Sequence, residues 1–169
     1  MGKKVIYKEG EPVVEITGQY FGIDLHKDQI TWHCISRCAD GRLIRTSGII
    51  STTKILEEFV PYLTLDNCYV IVEASGSGFF FHGLVSPHCT KAFVINPVAF
   101  RELYMTGKKT DRIDAKRLAD RLMYHVEMND PDDGFPEVFV PDEEALEIRR
   151  LVTTYELLVK QGTQLKNHL

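Results

Sequence analysis

Four acidic residues have the types and spacing of a metal-dependent phosphodiester site. Asp24 follows the apolar residues 20–23 and Glu73 follows the apolar residues 69–72, so each carboxylate ends a predicted buried strand. Asp111 and Asp114 are three positions apart on a predicted helix, so both leave from one face. An acidic pair at this spacing is commonly an ordinary helix surface. The combination of the pair with two strand-end acids is what predicts a shared site.

A cation between these carboxylates would offset their mutual repulsion, which otherwise costs several kcal/mol. The predicted ligands are all oxygen atoms, which suit a hard ion such as Mg²⁺, or Mn²⁺ in its place. Two such ions roughly 3.5–4 Å apart can activate an attacking oxygen and stabilise a leaving oxygen at phosphorus. We therefore expect nuclease or transposase chemistry at Asp24, Glu73, Asp111 and Asp114.

The elements that must position these acids follow from hydrophobic periodicity. Strands are predicted at residues 20–24, 29–37, 43–50, 69–72 and 92–95, and helices at 55–63, 79–85, 97–104, 111–124 and from 142 to near the end. Three meandering strands followed by strand–helix units predict an α/β mixed sheet flanked by helices. This is the topology of the RNase H-like (RuvC-like) fold, and in outline also that of the actin-like kinases.

The chain of 169 residues fits one domain with a helical extension. We expect a leader or extra edge strand at residues 1–19, the catalytic domain at 20–126, an acidic linker at 127–141 and a long helix at 142–169. No apolar run approaches the roughly 20 residues that span a membrane, and no secretory segment is evident, so the cytoplasm is the expected location. The four cysteines lack a CxxC pair, so buried free thiols are expected rather than a zinc site.

Charge is distributed unevenly although the net charge is only −4. Basic residues are concentrated between 91 and 121, and residues 127–147 are acidic without any Lys or Arg. The basic residues nearest the acidic pair are Lys108, Lys109, Arg112, Lys116 and Arg117. This pattern is compatible with a surface that faces phosphates and equally with a solvated helix face.

The last predicted helix carries apolar residues at steps of four and three, as coiled coils do. They are Leu151, Tyr155, Leu158 and Leu165, with Gly162 in one core position. Pairing with a second copy of the chain and packing of a single amphipathic helix on its own domain both remain open.

Several segments together resemble the N-terminal DEDD domain of IS110-type transposases. They are residues 22–27 (GIDLHK), 72–76 (VEASG), 96–97 (NP) and, most specifically, 109–119 (KTDRIDAKRLA). The resemblance implies a RuvC-like fold and a Mg²⁺ site formed by Asp24, Glu73, Asp111 and Asp114. It further implies recombination of DNA directed by a structured guide RNA, with the protein associated with the nucleoid.

Members of that family continue through a coiled coil into a second domain that supplies a serine nucleophile. This sequence ends at Leu169, inside the predicted coiled coil, and Ser75 and Ser77 do not match that serine. We therefore expect a catalytic-core fragment without it.

Three other interpretations of the function stay open. A RuvC-like resolvase or nuclease would cut DNA without the serine domain. A non-catalytic nucleic-acid-binding module would keep the fold and dimerise through its last helix, but loss of a metal acid would favour it and all four are present. An actin-like phosphotransferase would need a glycine-rich loop after Asp24, where this chain has Leu25, His26 and Lys27.

Overall fold

The predicted strands form one mixed sheet. The computed structural model describes residues 5–6, 14–63, 66–104 and 110–167. Its strands are β1 (Val5–Ile6), β2 (Val14–Leu25), β3 (Gln29–Cys38), β4 (Leu43–Ser51), β5 (Cys68–Glu73) and β6 (Lys91–Ile95). The sheet order is β4-β3-β2-β5-β6, with β1 paired to the start of β2. β2, β3 and β4 pair antiparallel, whereas β5 pairs parallel with both β2 and β6.

The helices connect and cover these strands. They are α1 (Gly76–Val85), α2 (Pro97–Tyr104), α3 (Asp111–Met128) and α4 (Glu143–Asn167). An irregular helical segment at residues 52–62 replaces the regular helix predicted at 55–63. It consists of a 3-10 turn, a π turn and a second 3-10 turn, and the last of these contains Pro61. The predicted α/β RNase H-like arrangement, with a long C-terminal helix, is confirmed. α3 is longer than the sequence predicted: it continues past Tyr124 and ends at Met128.

Both faces of the central part of the sheet are covered by apolar packing, whereas β4 at one edge has no buried residue. On one face, α3 packs on a buried cluster that comprises Tyr20, Ile35, Ile71, Phe93, Ile95, Phe100, Leu118, Ala119 and Leu122. On the other, Phe59 packs against Phe21 and Phe81, with ring centroids 5.5 and 5.8 Å apart. The two central strands β2 and β5 are therefore buried on both sides, as their continuous apolar runs predicted.

Gly22 sets how closely α3 approaches β2. A Cβ atom at this position would lie 2.1 Å from the Ala115 carbonyl oxygen and 2.4 Å from the Ala119 amide nitrogen. Both are backbone atoms of α3, so no side-chain movement could relieve the overlap. The absence of a side chain at Gly22 thus holds the first turns of α3 beside the end of β2.

Asp133 fastens the chain after α3 to that helix. Arg121 donates one hydrogen bond to the Asp133 carboxylate (2.8 Å) and another to the Asp133 backbone carbonyl (2.7 Å). His125 Nδ1 lies 2.9 Å from the same carboxylate, and the side chains of Arg121 and Asp133 are both 2% exposed. Phe135 stacks on the His125 ring, with centroids 3.9 Å apart. These four residues, Arg121, His125, Asp133 and Phe135, are called the clasp below.

Beyond the clasp, the chain runs along the outer edge of β6. The Asn96 amide donates to the Pro136 carbonyl (2.9 Å), and the Val138 amide donates to the Val94 carbonyl (2.8 Å). The chain divides into two compact units, Met1–Val138 and Phe139–Leu169. Residues 129–138, which fall in the interval predicted as a linker, belong to the first of these units.

The second unit consists mainly of α4. Asp142 begins this helix by accepting a hydrogen bond from the Ala145 amide (2.8 Å), as an N-cap residue does. The helix is continuous through Gly162. In the part of the chain that the structure describes, no helix has the length and apolar character to cross a membrane.

Candidate metal centre

Two neighbouring strands carry the first two predicted acids to one edge of the sheet. β2 and β5 are parallel, and their register places Ile23 opposite Val72. Asp24 and Glu73 are the next residues on each strand. Residues that stand side by side on two paired strands point to the same face of the sheet. The side chains of Asp24 and Glu73 therefore both project from the face that α3 covers.

The first turn of α3 supplies the second pair of acids. Thr110 precedes the helix in an extended conformation, and its hydroxyl accepts a hydrogen bond from the Ile113 amide (3.3 Å). Asp111 and Asp114 therefore lie in the first turn of the helix, where negative charge is favoured by the helix dipole. Because α3 contacts β2 through Gly22, this turn lies beside the end of β2.

His26 completes a group of three side chains. Its Nε2 atom lies 3.2 Å from Asp24 Oδ2 and 3.2 Å from Asp111 Oδ2. Among the described residues, one ligand atom from each of Asp24, His26 and Asp111 lies within 4.8 Å of the other two. A strand end, the turn that follows it and a helix N-terminus are thus brought to a separation that one cation could bridge.

The electrostatic setting of Asp24 is that of a like-charged group. Burial raises the pKa of Asp24 above its ordinary value, and His26 opposes that shift. The negative charges of Asp111 and Asp114 raise the pKa of Asp24 further. Asp114 is thus close enough to Asp24 to repel it, and the site favours added positive charge.

The remaining predicted acids, Asp114 and Glu73, are not among the three grouped residues. Asp114 lies 3.7 Å from Arg117, one turn further along the same helix face. Glu73 ends the adjacent strand and is half-buried. The structure therefore gathers Asp24 and Asp111 with His26, with Asp114 in the same helix turn as Asp111 and Glu73 at the end of the strand next to β2.

The predicted basic residues are only partly described. Arg112 and Lys116 are exposed on α3, and Arg117 is half-buried. Lys108 and Lys109 lie outside the described residues. Asp120, on the same helix, forms an ion pair with Arg45 of β4 (2.7 Å).

His26 is the functional candidate that the site residues predicted from the sequence do not include. The available signals are its place in the segment 22–27 that resembles the family and its spacing of two residues from Asp24, at the end of an apolar strand. That spacing is common by chance. Only the approach of Asp111 from a distant helix makes the histidine part of a group.

The comparisons with known proteins agree with this architecture. The family model of the DEDD transposases of the IS110 type, described as a transposase, matches residues 21–169. The match begins at β2 and extends through the last helix. No curated protein matches the chain.

Proposed function

Because the chain belongs to the IS110-type DEDD transposase family, whose fold is RuvC-like, we propose that its acidic site acts on DNA phosphodiester bonds. The residues that would hold divalent metal, Mg²⁺ or Mn²⁺, are Asp24, Glu73, Asp111 and Asp114. The proposal depends above all on one observation, the grouping of Asp24, His26 and Asp111 within 4.8 Å. The family membership supports transposase chemistry in general, and the proposal adds the residues and the ion.

The donor set fits a divalent cation. Carboxylate oxygens are the usual ligands of Mg²⁺ and Mn²⁺, and two of the three grouped donors are carboxylates. The raised pKa of Asp24 reflects burial and like charges, and both would be offset by a cation at this position. Glu73 and Asp114 offer further oxygens from the adjacent strand end and from the same helix turn.

The chain's own residues prepare the site for an in-line displacement at phosphorus. Bound metal would supply Lewis-acid activation of the attacking oxygen and stabilisation of the leaving oxygen. Asp24 is fixed by the β2 register, and Asp111 is fixed by the capped first turn of α3. The close approach of the two elements at Gly22 brings both carboxylates to the same end of β2.

The deciding experiment is thermal unfolding of the chain with and without millimolar Mn²⁺ or Mg²⁺. If metal binds with a Kd one hundredfold below its concentration, the folded state gains about 2.7 kcal/mol, which raises Tm by several degrees. We expect this gain in the wild-type chain and its loss in Asp24→Asn and in Asp111→Asn.

The matched control is Asp28→Asn, which removes an exposed carboxylate from the turn that follows β2 without changing a proposed ligand. This variant should keep the metal-dependent gain. An equal loss of the metal-dependent gain in Asp28→Asn would mean that the gain comes from surface charge in general. Full stabilisation of Asp24→Asn and Asp111→Asn by metal would contradict the proposed site.

We also propose that basic residues beside the site contact nucleic-acid phosphates. Arg112 and Lys116 are exposed one turn apart on α3, next to Asp111 and Asp114. Charge reversal at both, Arg112→Glu with Lys116→Glu, is expected to weaken DNA binding and to flatten its dependence on salt. Binding that keeps its affinity and salt slope in the double variant would contradict this assignment. Lys108, Lys109 and Arg117 are proposed to contribute in the same way.

The further partners follow from the family resemblance. We propose that a structured guide RNA selects the DNA target and that α4 joins a second copy of the chain. The exposed apolar residues of α4 support the second of these.

A further inference from the structure

A cleft opens next to the proposed metal centre, on the side away from α3. Its volume is about 500 Å³, and its lining residues are Leu25, His26, Lys27, Thr52, Thr53, Ile55, Ser77, Phe80 and Phe81. Pockets of roughly 300–1,000 Å³ hold small ligands in proteins, so one nucleotide unit falls within its capacity. The walls are the turn after β2, the irregular helical segment and the first turns of α1.

The cleft and the metal centre share one residue, His26. This residue lies 3.2 Å from both Asp24 and Asp111, and it also lines the cleft. A strand whose phosphate is held by the carboxylate group must continue in some direction. The cleft provides a path that begins at the same side chain.

Phe80 presents an aromatic ring to this space. It is 63% exposed, whereas Phe81 and Ile55 beside it are 0% and 4% exposed and form the apolar floor. An exposed ring above a buried floor is the arrangement on which a nucleobase can stack. Base–aromatic stacking tolerates any base because each has a flat π face.

The polar lining suits a phosphate backbone. Lys27 is exposed, and its backbone carbonyl accepts a hydrogen bond from the Thr52 hydroxyl (3.0 Å), which holds the turn in place. Thr53 and Ser77 are exposed, and their hydroxyls hydrogen-bond to the hydroxyls of Ser51 and Ser75 (2.9 and 3.2 Å). The described residues of the lining include no carboxylate. The charge of the cleft therefore favours an anion.

We propose that this cleft holds one unpaired nucleotide of the DNA strand next to the phosphate at the metal centre. Its base stacks on Phe80, and its phosphate faces Lys27 and the hydroxyls of Thr53 and Ser77. This inference rests on the proposed function, because the metal centre defines the adjoining phosphate. The nucleotide is unpaired because a base inside a duplex stack cannot expose its face to Phe80.

The test measures binding of a fluorescent oligothymidylate by anisotropy, with the full chain and Ca²⁺ to limit cleavage. Loss of one base–aromatic stack is worth about 1–3 kcal/mol, or roughly 5- to 150-fold in Kd. We expect Phe80→Ala to weaken binding by about tenfold, and Phe80→Tyr to bind as the wild type does. Phe139→Ala removes an 83% exposed ring from the other unit and should leave Kd unchanged.

A second measurement does not depend on any variant. An oligonucleotide that carries 5-iodouracil is irradiated with the wild-type chain, and the cross-linked residue is identified. A cross-link at Phe80 supports the cleft, whereas cross-links confined to other residues overturn it. Tighter binding of oligouridylate than of oligothymidylate would overturn the assignment to the DNA strand.

Thermal stabilisation by Mn²⁺, measured on the same variants, separates the two proposals. If Phe80→Ala keeps both the metal effect and wild-type oligonucleotide binding, the cleft inference is overturned and the metal centre stands. If the wild-type chain gains no stability from metal, the proposed function is overturned. Failure of the wild-type chain to bind the oligonucleotide overturns the cleft inference whatever the metal does.

Discussion

His26 adds a nitrogen donor to a group that otherwise offers carboxylate oxygens. Imidazole is a poor ligand for Mg²⁺ and a better one for transition metals, whose affinities for such sites rise from Mn²⁺ onward. With Nε2 equidistant from Asp24 and Asp111, the nitrogen faces the position that a shared cation would take. The type of residue at position 26 should therefore influence which ion the site prefers.

We expect His26→Ala to reduce the advantage of Mn²⁺ over Mg²⁺. The wild-type chain should gain more thermal stability from Mn²⁺ than from Mg²⁺ at equal concentration. In the variant the two ions should give similar gains, because only oxygen ligands remain. The measurement is the change in Tm over a concentration series of each ion.

His88→Ala is the matched control for this prediction, since it removes an imidazole from the 3-10 turn after α1. It should leave the difference between the two ions unchanged. A difference that persists in His26→Ala would mean that this nitrogen does not bind the ion.

The residue-level site could be predicted only where a local pattern marks a side chain. Asp24 and Glu73 stand out because each ends an apolar run, and Asp111 and Asp114 because they share a helix face and a specific motif. Their role as metal ligands stays a prediction. His26 and Gly22 lie in the segment 22–27 that resembles the family, but nothing in the sequence shows that they meet α3, which begins only at Asp111. Phe80 likewise reads as one more apolar residue of α1 until the cleft beside it is known.

At the scale of elements, the clasp determines how the chain after α3 is held. Burial alone would raise the pKa of Asp133, but the hydrogen bonds from Arg121 and His125 lower it more, to about 2. A carboxyl whose pKa is lower in the folded state stabilises the fold at pH values above its unfolded pKa. That stabilisation is lost as the pH falls through the folded pKa.

We expect Asp133 to contribute about 2 kcal/mol to the free energy of unfolding above a pH of about 4, and to lose this contribution as the pH falls towards about 2. Asp133→Asn should make the pH dependence of unfolding shallower over this range. At neutral pH the variant should be less stable by about 3–5 kcal/mol, because Arg121 would remain buried without its counter-charge. Urea unfolding at a series of pH values measures both effects.

Asp132→Asn changes the neighbouring exposed carboxylate and should affect neither quantity much. If Asp133→Asn had the same pH dependence as the wild type, the lowered pKa of Asp133 would not be a source of stability.

The order of elements was predictable because each strand and helix has its own local period. The packing of residues 129–138 was not, since their acids and prolines have the composition of a solvent-exposed linker. What holds them is non-local, namely a buried arginine on α3 and backbone hydrogen bonds to β6. Composition cannot distinguish an acid that faces water from one that accepts hydrogen bonds inside the fold.

At the scale of the whole molecule, α4 carries a row of large apolar side chains. Leu151, Tyr155, Leu158 and Leu165 are between 60% and 69% exposed. A helix whose apolar face lacks a covering surface in its own unit is a candidate for pairing with another helix. This is the basis for proposing that α4 joins two copies of the chain.

We expect the chain to associate at high concentration and the double variant Leu151→Lys, Leu158→Lys to remain monomeric. Two lysines in the row would place like charges, and polar groups without hydrogen-bond partners, at the interface between the two α4 helices. Light scattering over a range of concentrations measures the mass of each species. Val152→Lys, which adds one lysine next to the row, should keep the association, and a monomeric wild-type chain would contradict the proposal.

The edge of β6 matters for any shortened form of this protein. A chain cut at residue 126 would lose Asp133 and leave Arg121, which is 2% exposed, as an unneutralised cation inside the core. It would also uncover backbone groups of Val94 and Asn96 that now bond to the returning chain. Open strand edges recruit other strands, so such a piece is expected to precipitate, whereas one that ends after Val138 keeps its edge covered. Residues 129–138, whose composition is that of a linker, are thus expected to protect a shortened chain from aggregation.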